Sequence, residues 1–160
     1  MKGVGETNED KELFIAVKGI TAQEAHELMC QGAGCVYIDV RTVAEFAAGH
    51  PQDAVNIPVA FPDPTRGMAI NQDFVPVVEA HFPKESKIIL GCQAGPRSDA
   101  AAKLLQQAGY QEIYSMQGGY GGMRDPFGRV IAPGWVGLGL PVSQENGVAV
   151  SYESLAAKVR

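Results

Sequence analysis

Lys87-Ile88-Ile89-Leu90-Gly91-Cys92-Gln93-Ala94-Gly95-Pro96-Arg97-Ser98 passes from one kind of secondary structure to another within twelve residues. Residues 87–91 form a short apolar run rich in β-branched side chains, the pattern of a strand buried on both faces of a sheet. Residues 98–108 follow with helical spacing and stop at Gly109. A strand that feeds a helix through so short a loop is half of a parallel β-α-β unit. Gly95 permits a tight turn, and Pro96 suits the first position of a helix, where its missing N–H costs least. Cys92 thus falls between the carboxyl end of a strand and the amino end of a helix. The unpaired N–H groups and the dipole of that helix favour negative charge. A thiol held there loses its proton more readily, and the thiolate is the nucleophile. Arg97 adds a fixed positive charge able to hold an anion. A lone cysteine at a strand end is more often an inert core residue. Glycine, arginine and serine at this spacing favour the reactive reading.

The same alternation extends on both sides. Thr21 and Glu24 have capping-box spacing, and Ala22, Ala25, Leu28 and Met29 make a helical stripe that Gly32 and Gly34 stop. Residues 36–40 read as a buried strand, 42–48 as a short helix ended by Gly49, and 54–58 as another strand. A Pro- and Gly-bearing stretch, 61–69, reads as a loop. Residues 71–82 read as a helix with Phe74, Val77, Val78 and Phe82 on one face, and 112–115 as a strand. Strands and helices joined by short connections imply an α/β domain with a mostly parallel sheet, whose ligands sit at the carboxyl ends of the strands.

The whole chain agrees with an ordinary globular protein. Of its 160 residues, 46% are hydrophobic and 19% charged, enough to bury a core and too apolar for disorder. Thirteen basic and eighteen acidic side chains leave a formal charge of -5, which argues against a nucleic-acid partner. No apolar run reaches the roughly 18–20 residues of a membrane span, so no membrane partner is expected. The polar, acidic stretch 1–12 lacks the apolar core of a signal peptide. The three cysteines, Cys30, Cys35 and Cys92, are odd in number and lack metal spacing. They fit a reducing compartment, and a cytoplasmic location is expected.

The loop from Cys92 to Ser98 resembles the Cys-x-x-Gly-x-Arg-Ser active-site loop of the rhodanese family. Ile38-Asp39-Val40-Arg41, Glu45-Phe46, Gly49-His50 and Asn56-Ile57-Pro58 look like the family's first signature. Gly118-Gly119 and Gly139-Leu140-Pro141-Val142 look like its closing one. The chain looks most like single-domain thiosulfate sulfurtransferases. That resemblance implies a five-stranded, mostly parallel sheet with helices on both faces, spanning 14–143. A flexible segment at 1–13 and a tail at 144–160, with a short helix within 151–159, are expected outside it. It implies transfer in two steps. Cys92 would take the outer sulfur of a small anionic donor such as thiosulfate, hold it as a persulfide, and pass it to a thiol, protein or cyanide acceptor. It implies Cys92 and Arg97 as catalytic, and Gln93, Ala94, Gly95, Pro96 and Ser98 as substrate-binding. Asp39, Arg41, Glu45 and His50 are implied as supporting architecture, and no metal or organic cofactor is implied.

Three departures stand out. Asp53 occupies a turn position where the family has glycine, and aspartate tolerates a positive φ better than most residues. Pro96 stands where relatives often carry a basic or polar residue, which bears on substrate preference. Residues 120–134 separate the double glycine from Trp135, with a turn at Asp125-Pro126-Phe127-Gly128. Arg41 and Glu45, four apart at a short helix, are spaced so that they could pair. His26 and His81 are expected on the surface, and Cys30 and Cys35 as buried thiols, with a resolving role for either a minority reading. The rival functions are a non-catalytic or regulatory module, or a sulfur carrier for a protein partner. A phosphatase sharing the fold, or an arsenate reductase, is disfavoured. Only four residues separate Cys92 from Arg97, one fewer than in those loops, and the smaller ring suits a single sulfur.

Overall fold

The structure is a computed structural model and describes residues 17–32 and 34–159. The flexible segment expected at 1–13 lies outside the described residues. The chain begins with β1 (Val17–Ile20), α1 (Ala22–Cys30) and β2 (Cys35–Asp39). Thr21 caps α1, its hydroxyl accepting the Glu24 N–H at 3.1 Å while the Glu24 carboxylate accepts the Thr21 N–H at 2.9 Å. The short helix α2 (Val43–Ala48) starts with the same reciprocal pair, made by Thr42 and Glu45. Then come β3 (His50–Pro51), β4 (Val55–Asn56), and a hairpin of β5 (Ala60–Asp63) and β6 (Gly67–Ile70). Helix α3 (Phe74–His81) precedes β7 (Lys87–Gly91), α4 (Pro96–Gln107) and β8 (Glu112–Met116). A second hairpin, β9 (Met123–Arg124) and β10 (Val130–Ala132), is followed by β11 (Val142–Ser143) and α5 (Tyr152–Ala156).

Five strands form one sheet in the order β1-β8-β7-β2-β4, and every neighbouring pair is parallel. The central strand β7 shows why its sequence is apolar throughout. Ile88 and Leu90 enter a core with α3, α4 and α5, through Phe74, Val77, Val78, Ala101, Leu105 and Leu155. Ile89 points the other way, into a core with Tyr37, Phe46, Trp135 and the Ala22 and Ala25 face of α1. Helices therefore cover both faces, as the sequence implies. Each fully buried aliphatic side chain adds about 1.5–3 kcal/mol of transfer energy. The register Asp39↔Gly91 puts the end of β2 beside the end of β7, one residue before Cys92. Glycine is required at 91, because a Cβ there would overlap the Tyr37 hydroxyl.

Several local readings change. Residues 61–69 pair as a hairpin rather than forming a loop. Helix α3 begins at Phe74, not at 71, because Asn71 makes a turn of its own: its side-chain oxygen accepts the Asp73 N–H at 2.9 Å. Asp53 takes the left-handed conformation with φ 72°. In the tail, Tyr152, Leu155 and Ala156 of α5 belong to the larger core, and Tyr152 Oη accepts from Asn71 Nδ2 at 3.0 Å. His81 is partly buried and contacts the Leu155 carbonyl at 2.8 Å, and His26 packs edge-on to Trp135, so neither is a free surface residue. Cys30, on the last turn of α1, is exposed, and Cys35, at the start of β2, is only half-buried. The expectation of two buried thiols fails because both lie at element ends, away from the packed middle. Partial burial still pushes the Cys35 thiol pKa up.

Candidate functional site

Cys92 leaves β7 buried, with 1% of its surface exposed. The loop then folds back, so that the Gly95 N–H donates to Cys92 Sγ at 3.0 Å. Gly95 has φ 137°, open to glycine and strained for other residues, and hands the chain to Pro96 at the first turn of α4. Ser98, buried on that turn, donates to the Gly95 carbonyl at 2.7 Å and lies 3.0 Å from Ser115 Oγ on β8. Ser115 in turn donates to Asp99 at 2.6 Å. These bonds hold the loop's helical end from below. Gln93 and Pro96 are exposed and Ala94 is intermediate, so the loop's outer side faces solvent.

The supporting residues form two ion pairs, and they are not the pair expected from spacing. Arg41 turns back onto Asp39, with Nε–Oδ1 at 2.9 Å and Nη2–Oδ2 at 2.7 Å, both side chains almost fully buried. Glu45 instead receives the guanidinium of Arg97, with Nη1–Oε1 at 2.8 Å and Nη2–Oε2 at 3.1 Å. The i,i+4 pairing of Arg41 with Glu45 fails because the buried Asp39 carboxylate, two residues away, needs the charge more than the partly exposed Glu45 does. Burial is the largest influence and opposes the charge of Arg41, yet its hydrogen bonds to Asp39 and the negative charge of that carboxylate together outweigh it and leave its pKa raised. The Arg97 hydrogen bonds hold the Glu45 carboxyl at about 2, and Glu45 in turn raises Arg97.

Arg41 also reaches the loop. Its Nη1 donates to Gln93 Oε1 at 3.3 Å, its Nη2 to the Gly49 carbonyl at 2.7 Å, and its guanidinium lies 4.4 Å from the centre of the Tyr120 ring. Asn56 fixes the turn beneath, donating to the Asp39 and Arg41 carbonyls at 3.0 Å each. His50 is engaged elsewhere: its ring stacks on Phe46 at 3.7 Å and its nitrogens contact the Pro51 and Glu145 carbonyls, so it ties the tail to α2.

Residues unremarked as site members in the sequence complete the wall. The Tyr120 N–H donates to the Cys92 carbonyl at 2.7 Å and the Gly121 N–H to the Gln93 carbonyl at 2.9 Å. Gly119 has φ 60°, and a Cβ there would overlap the Cys92 carbonyl oxygen. The double glycine visible in the sequence was the signal for this contact; only the return of β8 alongside β7 explains it. Met123 of β9 lies over Gly95, its Cε 3.6 Å from where a Cβ would stand, so the 120–134 segment borders the loop. Among the described residues, no group of three His, Cys, Asp or Glu side chains could hold a metal ion, and no helix is long and apolar enough to cross a membrane.

Comparison with known proteins gives concordant matches. The rhodanese-like domain profile matches residues 21–125. Thiosulfate sulfurtransferase 16, chloroplastic, from Arabidopsis thaliana is 40% identical over 101 residues, covering 63% of this chain and 82% of that one. The thiosulfate sulfurtransferase GlpE of Haemophilus influenzae (strain PittEE) is 35% identical over 109 residues, covering 68% and 89%. With the senescence-associated protein DIN1 of Raphanus sativus the identity is 41% and covers 55% of this chain, but the match spans only 48% of that longer relative. Among solved structures, Rv0390 from M. tuberculosis superposes with a TM-score of 0.66 at 29% identity, covering 80% of this chain and 98% of that one.

Proposed function

Because this chain belongs to the rhodanese-like domain family, we propose that it is a sulfurtransferase that carries sulfur as a persulfide on Cys92. The relatives named thiosulfate sulfurtransferase support a sulfane donor of the thiosulfate type. The observation that carries the reading is the N–H of Gly95, the N-cap of α4, aimed at Cys92 Sγ. That geometry favours negative charge on sulfur, first as the thiolate and then as the outer sulfur of the persulfide, about 2 Å further along the S–S bond.

In the first step the Cys92 thiolate forms a bond to the donor's outer sulfur. The bond from that sulfur to the rest of the donor breaks, and its electron pair departs with the leaving group, sulfite when the donor is thiosulfate. In the second step an acceptor thiolate, or cyanide, attacks the outer persulfide sulfur and the Cys92 thiolate returns. Gln93, Ala94, Gly95, Pro96 and Ser98 shape the binding loop. Arg97 screens the developing charge while Glu45 holds it in place. Asp39 and Arg41 fix the loop through Gln93, and His50 supports α2 and the tail. A cytoplasmic setting with reduced thiols fits this chemistry.

The test is mass detection of one added sulfur atom after incubation with thiosulfate, coupled to thiocyanate release on adding cyanide. Cys92→Ser should abolish both signals, and Cys30→Ser and Cys35→Ser should keep both. Loss in either of the last two overturns the assignment of a single carrier thiol.

A further inference from the structure

We propose that the Cys92 site favours sulfane donors carrying at most one negative charge, such as organic thiosulfonates or hydropersulfides, over the dianion thiosulfate. This rests on the sulfurtransferase reading above and concerns which donor that site takes. Gln93, Ala94, Gly95, Pro96 and Ser98 are uncharged, so Arg97 is the one cation of the loop. Its fork faces Glu45, with the two terminal nitrogens Nη1 and Nη2 engaged at 2.8 and 3.1 Å. Arg41, the other guanidinium that reaches the loop, is closed on Asp39 and spends its further donors on the Gly49 carbonyl and Gln93. On the hairpin bordering the loop, Arg124 donates to the Gly128 carbonyl and Arg129 pairs with Asp125.

The two guanidiniums that reach the loop among the described residues, Arg97 and Arg41, are therefore each matched by one carboxylate, and these two pairs add no net charge. The reacting thiolate contributes one negative charge, in a position only 1% exposed. A donor anion is then left to backbone N–H, of which Gly95 N–H already serves the sulfur, and to the guanidinium N–H groups that Glu45 and Asp39 do not engage, whose charge those carboxylates already balance. A monoanionic donor brings one charge against that thiolate and a dianion brings two, in surroundings where water screens little. The net charge of -5 on the whole chain acts in the same direction. Pro96 matters here by what its position could hold: exposed at the first helical position, a cation there would be free to face the donor.

The chemistry of loading is the same for both donor classes. Cys92 bonds to the outer sulfur, the outer sulfur's bond to the sulfonyl or thiol sulfur breaks, and the pair leaves as sulfinate, sulfite or thiolate, with no oxidant or reductant consumed. The experiment compares methanethiosulfonate with thiosulfate, in which a methyl group replaces one charged oxygen. Second-order rates of Cys92 persulfide formation are measured in single turnover for the wild type, Pro96→Lys and Ala94→Lys, with a small free thiol as the reference for intrinsic reactivity. Relative to that thiol, the wild type should favour methanethiosulfonate, and either lysine variant should move the ratio toward thiosulfate by about tenfold or more. Added salt should narrow the wild-type ratio. An unchanged ratio in both folded lysine variants, or a wild type that favours thiosulfate more than the free thiol does, overturns the proposal. If neither donor loads Cys92, the sulfurtransferase reading itself falls and the donor preference with it.

Discussion

Glu45→Gln removes one charge from the Arg97 pair while leaving a side-chain oxygen able to accept from Thr42, whose N–H and hydroxyl both lie 3.1 Å from Glu45 Oε1. The Glu45 carboxyl sits at about 2 against an ordinary 4.5, chiefly through its hydrogen bonds from Arg97. Taken at face value, that depression corresponds to roughly 3 kcal/mol of linked stability. The side chains are 34% and 26% exposed, so solvent screening reduces the expected contribution to about 1 kcal/mol. Because the folded-state value is the lower one, the contribution is fully present above pH about 4.5 and is lost as pH falls through about 2. Urea unfolding should therefore show the variant about 1 kcal/mol less stable than the wild type at pH 7, with the gap closing steadily below pH 4.5. Glu45→Ala should cost about 0.5–1 kcal/mol more at pH 7, since it also removes the reciprocal cap of α2. A gap that stays constant from pH 7 down to pH 3, or a glutamine variant as stable as the wild type, would refute the claim that this pair is ionic and stabilising.

Two further outcomes follow from the packing. Leu155→Ala, in the tail helix α5 that lies on the α3 side of the core, should cost about 2–4 kcal/mol in urea unfolding; a change below about 0.5 kcal/mol would mean that α5 is not part of the cooperative unit. Replacing 123–132 by a short flexible link, with Gly118 to Gly122 kept, should leave cyanide as an acceptor nearly unaffected. Transfer to a protein thiol should fall by about tenfold if exposed Phe127, Val130 and Ile131 help dock the acceptor. Equal loss for both acceptors, together with earlier unfolding, would show that the hairpin only stabilises the fold.

Local chemistry made much of the protein legible in the chain itself. The apolar run 88–91, the Thr21-Glu24 cap and the Gly95-Pro96 turn are each decided within a few residues by sterics and nearby hydrogen bonds. So is the positive φ of Asp53. The position of Cys92 between strand and helix follows from the same short-range rules. Charge partners do not. The four-residue spacing pointed Arg41 to Glu45, whereas the parallel register of β2 against β7 buries Asp39 beside the loop and draws Arg41 inward. Glu45 is then left for Arg97, fifty-two residues away. The contact of Gly119 and Tyr120 with the Cys92 carbonyl, and the burial of α5 against α3, likewise depend on which strands become neighbours. An ionised side chain settles on whichever opposite charge is nearest in space and least hydrated, and only the assembled sheet decides which one that is.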